Sequence, residues 1–481
     1  MIGKVRSFVH RALPRKPFAR GVALLVGGTA AAQALGVLAT PMLTRLYSPD
    51  EFGVLAIYIS LLSLCGVIAS LRYEIAIPLP EDDSEAGDLV ALSCILAAGM
   101  AFLAALLVWM IGDQLALLVG TPGLAPYLWL LPLGILFSGA YNIFRYWAIR
   151  TQRFAMVART TLWQSIVMIV IQLAGYNFGA VGLLVGQAAS QGLGSIALGR
   201  NSVTGRMLRG LCWPNIKKQA VRYKRFPIFS TWEGLFNTAG TQLPPLLFAV
   251  FFSPAAAGLY SLANRVLSLP MSLIGNAVGQ AFFSNAAQAH REGRLGTQVV
   301  QLHSRLCQIG ILPTLLLILA GPEIFLWAFG SDWLVAGEFS RWMAPWLYFV
   351  FVCSPLSTLF AVMEKQTQGM LFQIILLLSR LLAIYAGSRS GDMLSTVIWF
   401  SAASALCWIG FLLWIGYTTG NQTFEILKPT LSASWMGSVL SIPLAAAIYY
   451  ENYQSGMIFY GLLLSAALMV IRVFYLVRKV Y

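Results

Sequence analysis

The sequence predicts an all-α polytopic membrane protein of about fourteen transmembrane helices, arranged as two pseudo-symmetric six-helix lobes plus two C-terminal helices. Three observations predict it. Of 481 residues, 58% are hydrophobic and only 10% charged, where a soluble domain carries about a quarter. At roughly 20 apolar residues per crossing, the apolar complement supplies about fourteen spans. A short motif, SPxxxG, occurs at equivalent places in the two halves.

Apolar runs between polar breaks place the first six spans at 21–43, 52–71, 89–111, 127–149, 156–176 and 178–198. The next six fall at 228–252, 256–283, 306–320, 339–363, 370–386 and 393–417, and the last two at 431–449 and 457–477. The runs at 306–320 and 370–386 are short, which calls for less tilt or for extension by flanking residues. The domain reading follows: a tail at 1–20, an N-lobe at 21–198, a basic connection at 199–227, a C-lobe at 228–417, and a closing helix pair and tail at 418–481. The first apolar run is too long for a signal-peptide core, so the tail is expected to be retained.

The net charge of +14 rests on few charges in total, so orientation explains it better than a nucleic-acid partner. Basic residues collect in alternate connections: the tail, Arg72, 145–159, 200–225, 291–305, Lys365, Lys428 and 472–479. Arg45, Arg265, Arg341, Arg380 and Arg389 depart from that alternation. Basic ends resist translocation, so both termini are expected on the cytoplasmic side, with the basic connections also touching anionic lipid.

Several function classes are excluded. There is no GxxxxGK[ST] sequence for ATP hydrolysis. The cysteines (Cys65, Cys94, Cys212, Cys307, Cys353 and Cys407) form no CxxC pair and read as small apolar fillers. His10, His290 and His303 lack metal-ligand partners. No cofactor is expected. No connection is long enough for a separately folded catalytic module, so the chain is not expected to be an enzyme.

The motif reads SPDEFG at 48–53 and SPAAAG at 253–258. Pro41 precedes the first copy, Pro244 and Pro245 the second, and an LSL triplet follows each, at 62–64 and 267–269. One copy would be an ordinary turn with proline near a helix start. Two copies at matching topological positions predict parallel repeats.

Polar side chains recur at helical spacing within the spans, and in hydrocarbon such a stripe must face protein or water. Span eight carries Ser261, Arg265, Ser268, Ser272, Asn276 and Gln280; span seven carries Ser230, Glu233, Asn237 and Thr241. Span one carries Thr29, Gln33, Thr40 and Thr44, and span eleven carries Gln373 and Arg380. Spans one and seven occupy matching positions and are expected to face one another across a shared cavity. Isolated serines and threonines serve as packing glue worth under about 2 kcal/mol each. A mid-span arginine costs about 3 kcal/mol, so Arg265 and Arg380 are expected to line a wet, positive cavity for an anionic substrate. Arg72 and Glu74 are expected to pair locally. Gly182 with Gly186 and Gly275 with Gly279 permit close helix approach, and Trp333, Trp342 and Trp346 are expected to anchor an outer interface.

The stretch Gly28-Thr29, Gln33, Thr40-Pro41-Met42-Leu43-Thr44-Arg45-Leu46-Tyr47-Ser48-Pro49, Phe52-Gly53 and Ser70-Leu71-Arg72-Tyr73-Glu74 resembles the bacterial O-antigen and exopolysaccharide flippases, the Wzx-type polysaccharide transport proteins. So do Arg222-Tyr223-Lys224-Arg225-Phe226-Pro227, Pro244-Pro245, Ser253-Pro254, Gly258-Leu259-Tyr260 and Arg265-Val266-Leu267. That family belongs to the multidrug/oligosaccharidyl-lipid/polysaccharide exporter superfamily. The resemblance implies a bacterial inner-membrane transporter. By alternating access it would carry an undecaprenyl-diphosphate-linked oligosaccharide, an O-antigen or exopolysaccharide repeat unit, from the cytoplasmic to the periplasmic leaflet, with glycosyltransferases and a polymerase as partners. On this reading Arg265 and Arg380 meet the diphosphate or an acidic sugar, because a guanidinium fork matches phosphate oxygens. Gln33, Asn237, Asn276, Gln280 and Gln373 line the glycan path. The alternative is a cation-coupled multidrug antiporter of the same superfamily, for which Glu233 is the acidic residue deep enough to bind the coupling ion.

Overall fold

The computed structural model describes residues 17–202, 212–270, 274–450 and 457–478, and the regular elements among them are all helices. The chain divides into two compact units, 1–258 and 259–481.

The first unit opens with α1 (Pro17–Leu38), which breaks at Ala39 ahead of the short helix Thr40–Thr44 with Pro41 in its first turn. It continues with α2 (Pro49–Ile68), α3 (Asp83–Leu118), α4 (Leu130–Arg150), α5 (Phe154–Ala174), α6 (Ala180–Ser202), α7 (Trp213–Arg222) and α8 (Thr231–Phe251). Helix α9 (Pro254–Pro270) contains the division between units. Small residues set the approaches. Gly182 lies against Gly175, and Gly186 against Gln172 and Met168, so α6 packs closely on α5 as the glycine spacing predicts. Arg150 donates to the carbonyls of Ile77, Pro80 and Glu81 and to the Asp83 carboxylate, which ties the connection before α3 to the end of α4.

The second unit continues with α10 (Asn276–Arg291), α11 (Leu295–Phe329), α12 (Leu334–Cys353), α13 (Gln366–Ser388), α14 (Met393–Thr418), α15 (Thr423–Leu440), α16 (Ile442–Tyr450) and α17 (Met457–Arg478). Gly321 and Gly337 bring α11 and α12 together. An aromatic ladder of Phe360, Phe372, Trp408, Phe411 and Trp414 packs α13 on α14. His303 of α11 reaches Thr430 of α15 at 3.1 Å, and Cys307 lies 3.4 Å from the same ring.

The two halves match in detail. In the first motif copy Ser48 caps α2: its hydroxyl accepts from the Glu51 N–H at 3.4 Å, while the Glu51 carboxylate accepts from the Ser48 N–H at 2.7 Å. In the second, the Ser253 hydroxyl accepts from the Ala256 N–H at 3.2 Å. The copies also touch reciprocally. A side chain at Gly53 would collide with the Pro254 carbonyl, and one at Gly258 with the Pro49 carbonyl. Each glycine therefore lies on the other copy's proline. The third span of each half is likewise long and broken: α3 has 36 residues with a non-helical Ile111, and α11 has 35 with a non-helical Ala320. Gly112 follows the first break, and Pro322 follows the second, where it removes a helix hydrogen bond. The Leu319 carbonyl beside that break accepts from Arg341 at 3.3 Å.

Among the described residues nine helices are long and apolar enough to cross a membrane, or ten if the pair α15 and α16, bent by 49°, forms one span. The expected count of fourteen is not reached by that measure, for identifiable reasons. Helix α4 carries Asn142 and Arg145, and α8 a polar stripe, so neither passes on hydropathy. Within the expected span 256–283, α9 and α10 are described, and residues 271–273 lie outside the described residues. In the last span only Ile458–Leu468 registers as an apolar helix. The short run expected at 306–320 is the middle of α11, which begins in the polar stretch before it and continues after the break at Ala320 through the apolar residues 324–329.

Candidate functional site

Helix α8 holds the polar stripe of the first unit. Four-residue steps put Glu233, Asn237 and Thr241 on one face, and all three are exposed. On the opposite face Ala239 is buried, and further along the stripe's own face Pro244 and Phe248 are buried as well. Gln242, off that stripe, accepts from Ser60 of α2 at 3.1 Å. With 21 residues α8 is about 31 Å long, enough to cross the hydrocarbon core. Gln33 on α1 is exposed as well.

At one end of the stripe stands the Arg72 and Glu74 pair, 3.9 Å apart. Leu71 and Arg72 both take left-handed backbone angles, φ 49° and 63°, a turn that aims the Arg72 guanidinium against Gly234, beside Glu233. Only glycine leaves room for it there. Glu74 is buried and accepts from the Ser70 hydroxyl. Burial raises its carboxyl above the usual range, opposed by the Ser70 hydrogen bond, a backbone hydrogen bond and the Arg72 charge.

The second unit holds both arginines expected at mid-span. Arg380 of α13 is only 8% exposed. Its Nε donates to the Ser404 hydroxyl at 3.0 Å, and its guanidinium lies over the Trp346 ring at 5.1 Å and the Phe400 ring at 5.4 Å. Tyr260 meets Phe400 edge-on at 5.8 Å, so α9 joins the cage through that ring. An arginine between two aromatic faces is held by the ring quadrupoles, which are worth about 2 kcal/mol or more when desolvated. Arg265 is five residues beyond Tyr260 on α9 and half-buried. Gln373 is exposed on α13, two turns before Arg380.

The expected site residues therefore distribute as follows. Gln33, Glu233 and Asn237 are exposed in the first unit; in the second, Gln373 is exposed, Arg265 half-buried and Arg380 buried. The side chains of Asn276 and Gln280, and all of Ser272, lie outside the described residues. Of the stripe expected from Ser261 to Gln280, Ser261, Arg265 and Ser268 lie on α9. The tryptophan expectation needs correction: Trp333 and Trp346 are buried at 0% and 5%, and of the three only Trp342, at 44%, is exposed. Trp346 is spent on Arg380 and Phe400 instead of an interface. Sequence reasoning missed this cage because Trp346, Phe400 and Ser404 come from helices far from Arg380 along the chain. The available signal was the arginine itself, which demands electron-rich neighbours inside a bilayer. Among the described residues no three His, Cys, Asp or Glu side chains stand together to hold a metal ion.

Comparison with known proteins gives a consistent picture. The family described as polysaccharide biosynthesis protein matches residues 42–338. The chain is 22% identical over 411 residues to the succinoglycan biosynthesis transport protein ExoT of Rhizobium meliloti (strain 1021), covering 81% of this chain and 78% of that one. Among solved structures, the lipid II flippase MurJ in an inward closed conformation superposes with a TM-score of 0.74 at 14% identity, over 95% of this chain and 99% of that one. An inward-facing multidrug resistance MATE family transporter of the MOP superfamily superposes with a TM-score of 0.57 at 15% identity, over 82% and 94%. The fold is shared with these transporters, and the chain is a multi-pass membrane protein.

Proposed function

The chain belongs to the polysaccharide biosynthesis protein family, and we propose that it is a flippase carrying an undecaprenyl-diphosphate-linked oligosaccharide, an O-antigen or exopolysaccharide repeat unit, from the cytoplasmic to the periplasmic leaflet by alternating access. One observation carries the reading: α8 presents Glu233, Asn237 and Thr241 outward along a helix long enough to span the bilayer. Polar groups cannot face hydrocarbon without large cost, so this face borders water and the hydroxyls of a passing glycan. A transport protein for succinoglycan biosynthesis among the relatives supports the same cargo class, and a lipid II flippase shares the fold.

Roles follow from exposure. Arg265, half-buried on α9, is assigned to the diphosphate or an acidic sugar, where a planar donor fork binds oxygens in pairs. Arg380, clasped by rings and a hydroxyl, supplies positive potential from within the protein. Gln33, Asn237 and Gln373 are assigned to the glycan path, with Asn276 and Gln280 as expected from their sequence positions. The direct test is a flipping assay in proteoliposomes holding the lipid-linked oligosaccharide. Arg265→Ala is expected to lose transport at normal expression; full activity would refute the role given to it. A second reading, a cation-coupled multidrug antiporter, is favoured by the exposed Glu233 carboxylate on the same stripe. Glu233→Gln abolishing small-cation transport, with glycan export intact, would select it.

A further inference from the structure

Between Arg200 and Glu233 the sequence has no acidic residue, while Arg206, Arg209, Lys217, Lys218, Arg222, Lys224 and Arg225 fall there. Helix α7 carries Lys217, Lys218 and Arg222, and the turn after it carries Lys224 and Arg225. One face is fastened to the first unit: Ile216 is buried with Tyr73, Leu89 and Trp147, the Ala220 carbonyl accepts from the Tyr73 hydroxyl at 2.9 Å, and Arg222 pairs with Glu85 at 2.9 Å. The opposite face is open. Trp213, Lys217 and Val221 follow one another at four-residue steps and all are exposed, as are Lys218, Lys224 and Arg225. The chain then presents exposed Ile228, Phe229 and Trp232 as it enters α8.

A rigidly fastened helix with basic and apolar residues alternating along its free face, adjoining exposed apolar side chains, has the makeup of an interfacial element. Its indole and aliphatic groups sit at acyl level and its ammonium groups at headgroup level. We infer that the free face of α7 is a docking surface for anionic phospholipid headgroups, phosphatidylglycerol or cardiolipin, of the leaflet to which the charge bias assigns this connection. The charges are spread from Lys217 to Arg225, about 12 Å at a helical rise, so the face takes several headgroups side by side, where a single diphosphate would call for convergent donors. The surface lies wholly in the first unit and needs no assumption about the cargo.

The test uses the purified full chain titrated in detergent with phosphatidylglycerol or phosphatidylcholine, with adducts counted by native mass spectrometry. The unaltered chain is expected to favour phosphatidylglycerol. Combined Lys217→Gln, Lys218→Gln, Lys224→Gln and Arg225→Gln, with Arg222 left to hold Glu85, is expected to weaken phosphatidylglycerol binding by roughly tenfold and leave phosphatidylcholine unchanged. Arg159→Gln, Arg291→Gln and Lys428→Gln together are expected to stay within about twofold of the unaltered chain. Equal losses in both variants, or none in the first, would overturn the assignment. So would loss of undecaprenyl diphosphate binding with phosphatidylglycerol binding retained, which would make the face a cargo dock. A photoactivatable phosphatidylglycerol applied to the unaltered chain needs no variant: adducts are expected in the peptide 212–232, and their absence there contradicts the proposal.

Discussion

Helix α8 and the Arg380 cage handle the same difficulty, polar groups within a membrane protein, in opposite ways. On α8 the polar atoms of Glu233, Asn237 and Thr241 are left open along one face. Around Arg380 the charge is enclosed by Trp346, Phe400 and Ser404 until 8% of the residue remains exposed. An open polar stripe is useful only if something polar passes it, whereas an enclosed cation holds helices α12, α13 and α14 together. Polarity in a span does not by itself mark a binding residue; exposure separates the two cases.

The contrast can be broken from several sides. The upper end of the scale is set where packing leaves no room at all: Gly53→Val, driven into the Pro254 carbonyl, is expected to destabilise by about 3 kcal/mol or more, read as a lowered unfolding temperature in detergent. Arg380→Ala is expected to cost about 2–3 kcal/mol through lost ring contacts and a stranded Ser404 hydroxyl. Unfolding unchanged from the parent would dissolve the distinction between cage and stripe. Asp392, outside the membrane, provides an electrostatic reference. Hydrogen bonds from Ser395, side chain first and then backbone, hold its carboxyl below the usual aspartate range. Its contribution is therefore present above the unfolded value of about 3.9 and is lost as pH falls through the lower folded value. Asp392→Ala is expected to cost about 1 kcal/mol as a lost helix cap and to remove that part of the acid sensitivity, measurable as unfolding temperature against pH. Asn237→Ala is expected at the small end for stability, within about 0.5 kcal/mol, yet to slow flipping; an equal loss of stability would place the stripe with the cage.

Much of this was legible along the chain. Apolar runs located most of the spans, and the paired SPxxxG motifs gave the repeat, since serine capping and glycine contact are local requirements. The Arg72 and Glu74 pair was readable from a two-residue separation. What escaped depends on contacts between distant segments. Trp346 looked like an interface residue because the chain does not show that Phe400 and Arg380 close over it. The breaks at Ile111 and Ala320 arise where Gly112 and Pro322 weaken long helices whose apolar pattern alone continues through them.

The central claim, that the open face of α8 borders water inside the membrane, is tested most directly by cysteine accessibility in intact cells or proteoliposomes, using a cysteine-free background and a charged, water-soluble thiol reagent. Asn237→Cys is expected to react rapidly, while Ala239→Cys on the buried face stays unmodified. If the cysteine at 237 proves as inert as the one at 239, the stripe faces no aqueous path and the account fails.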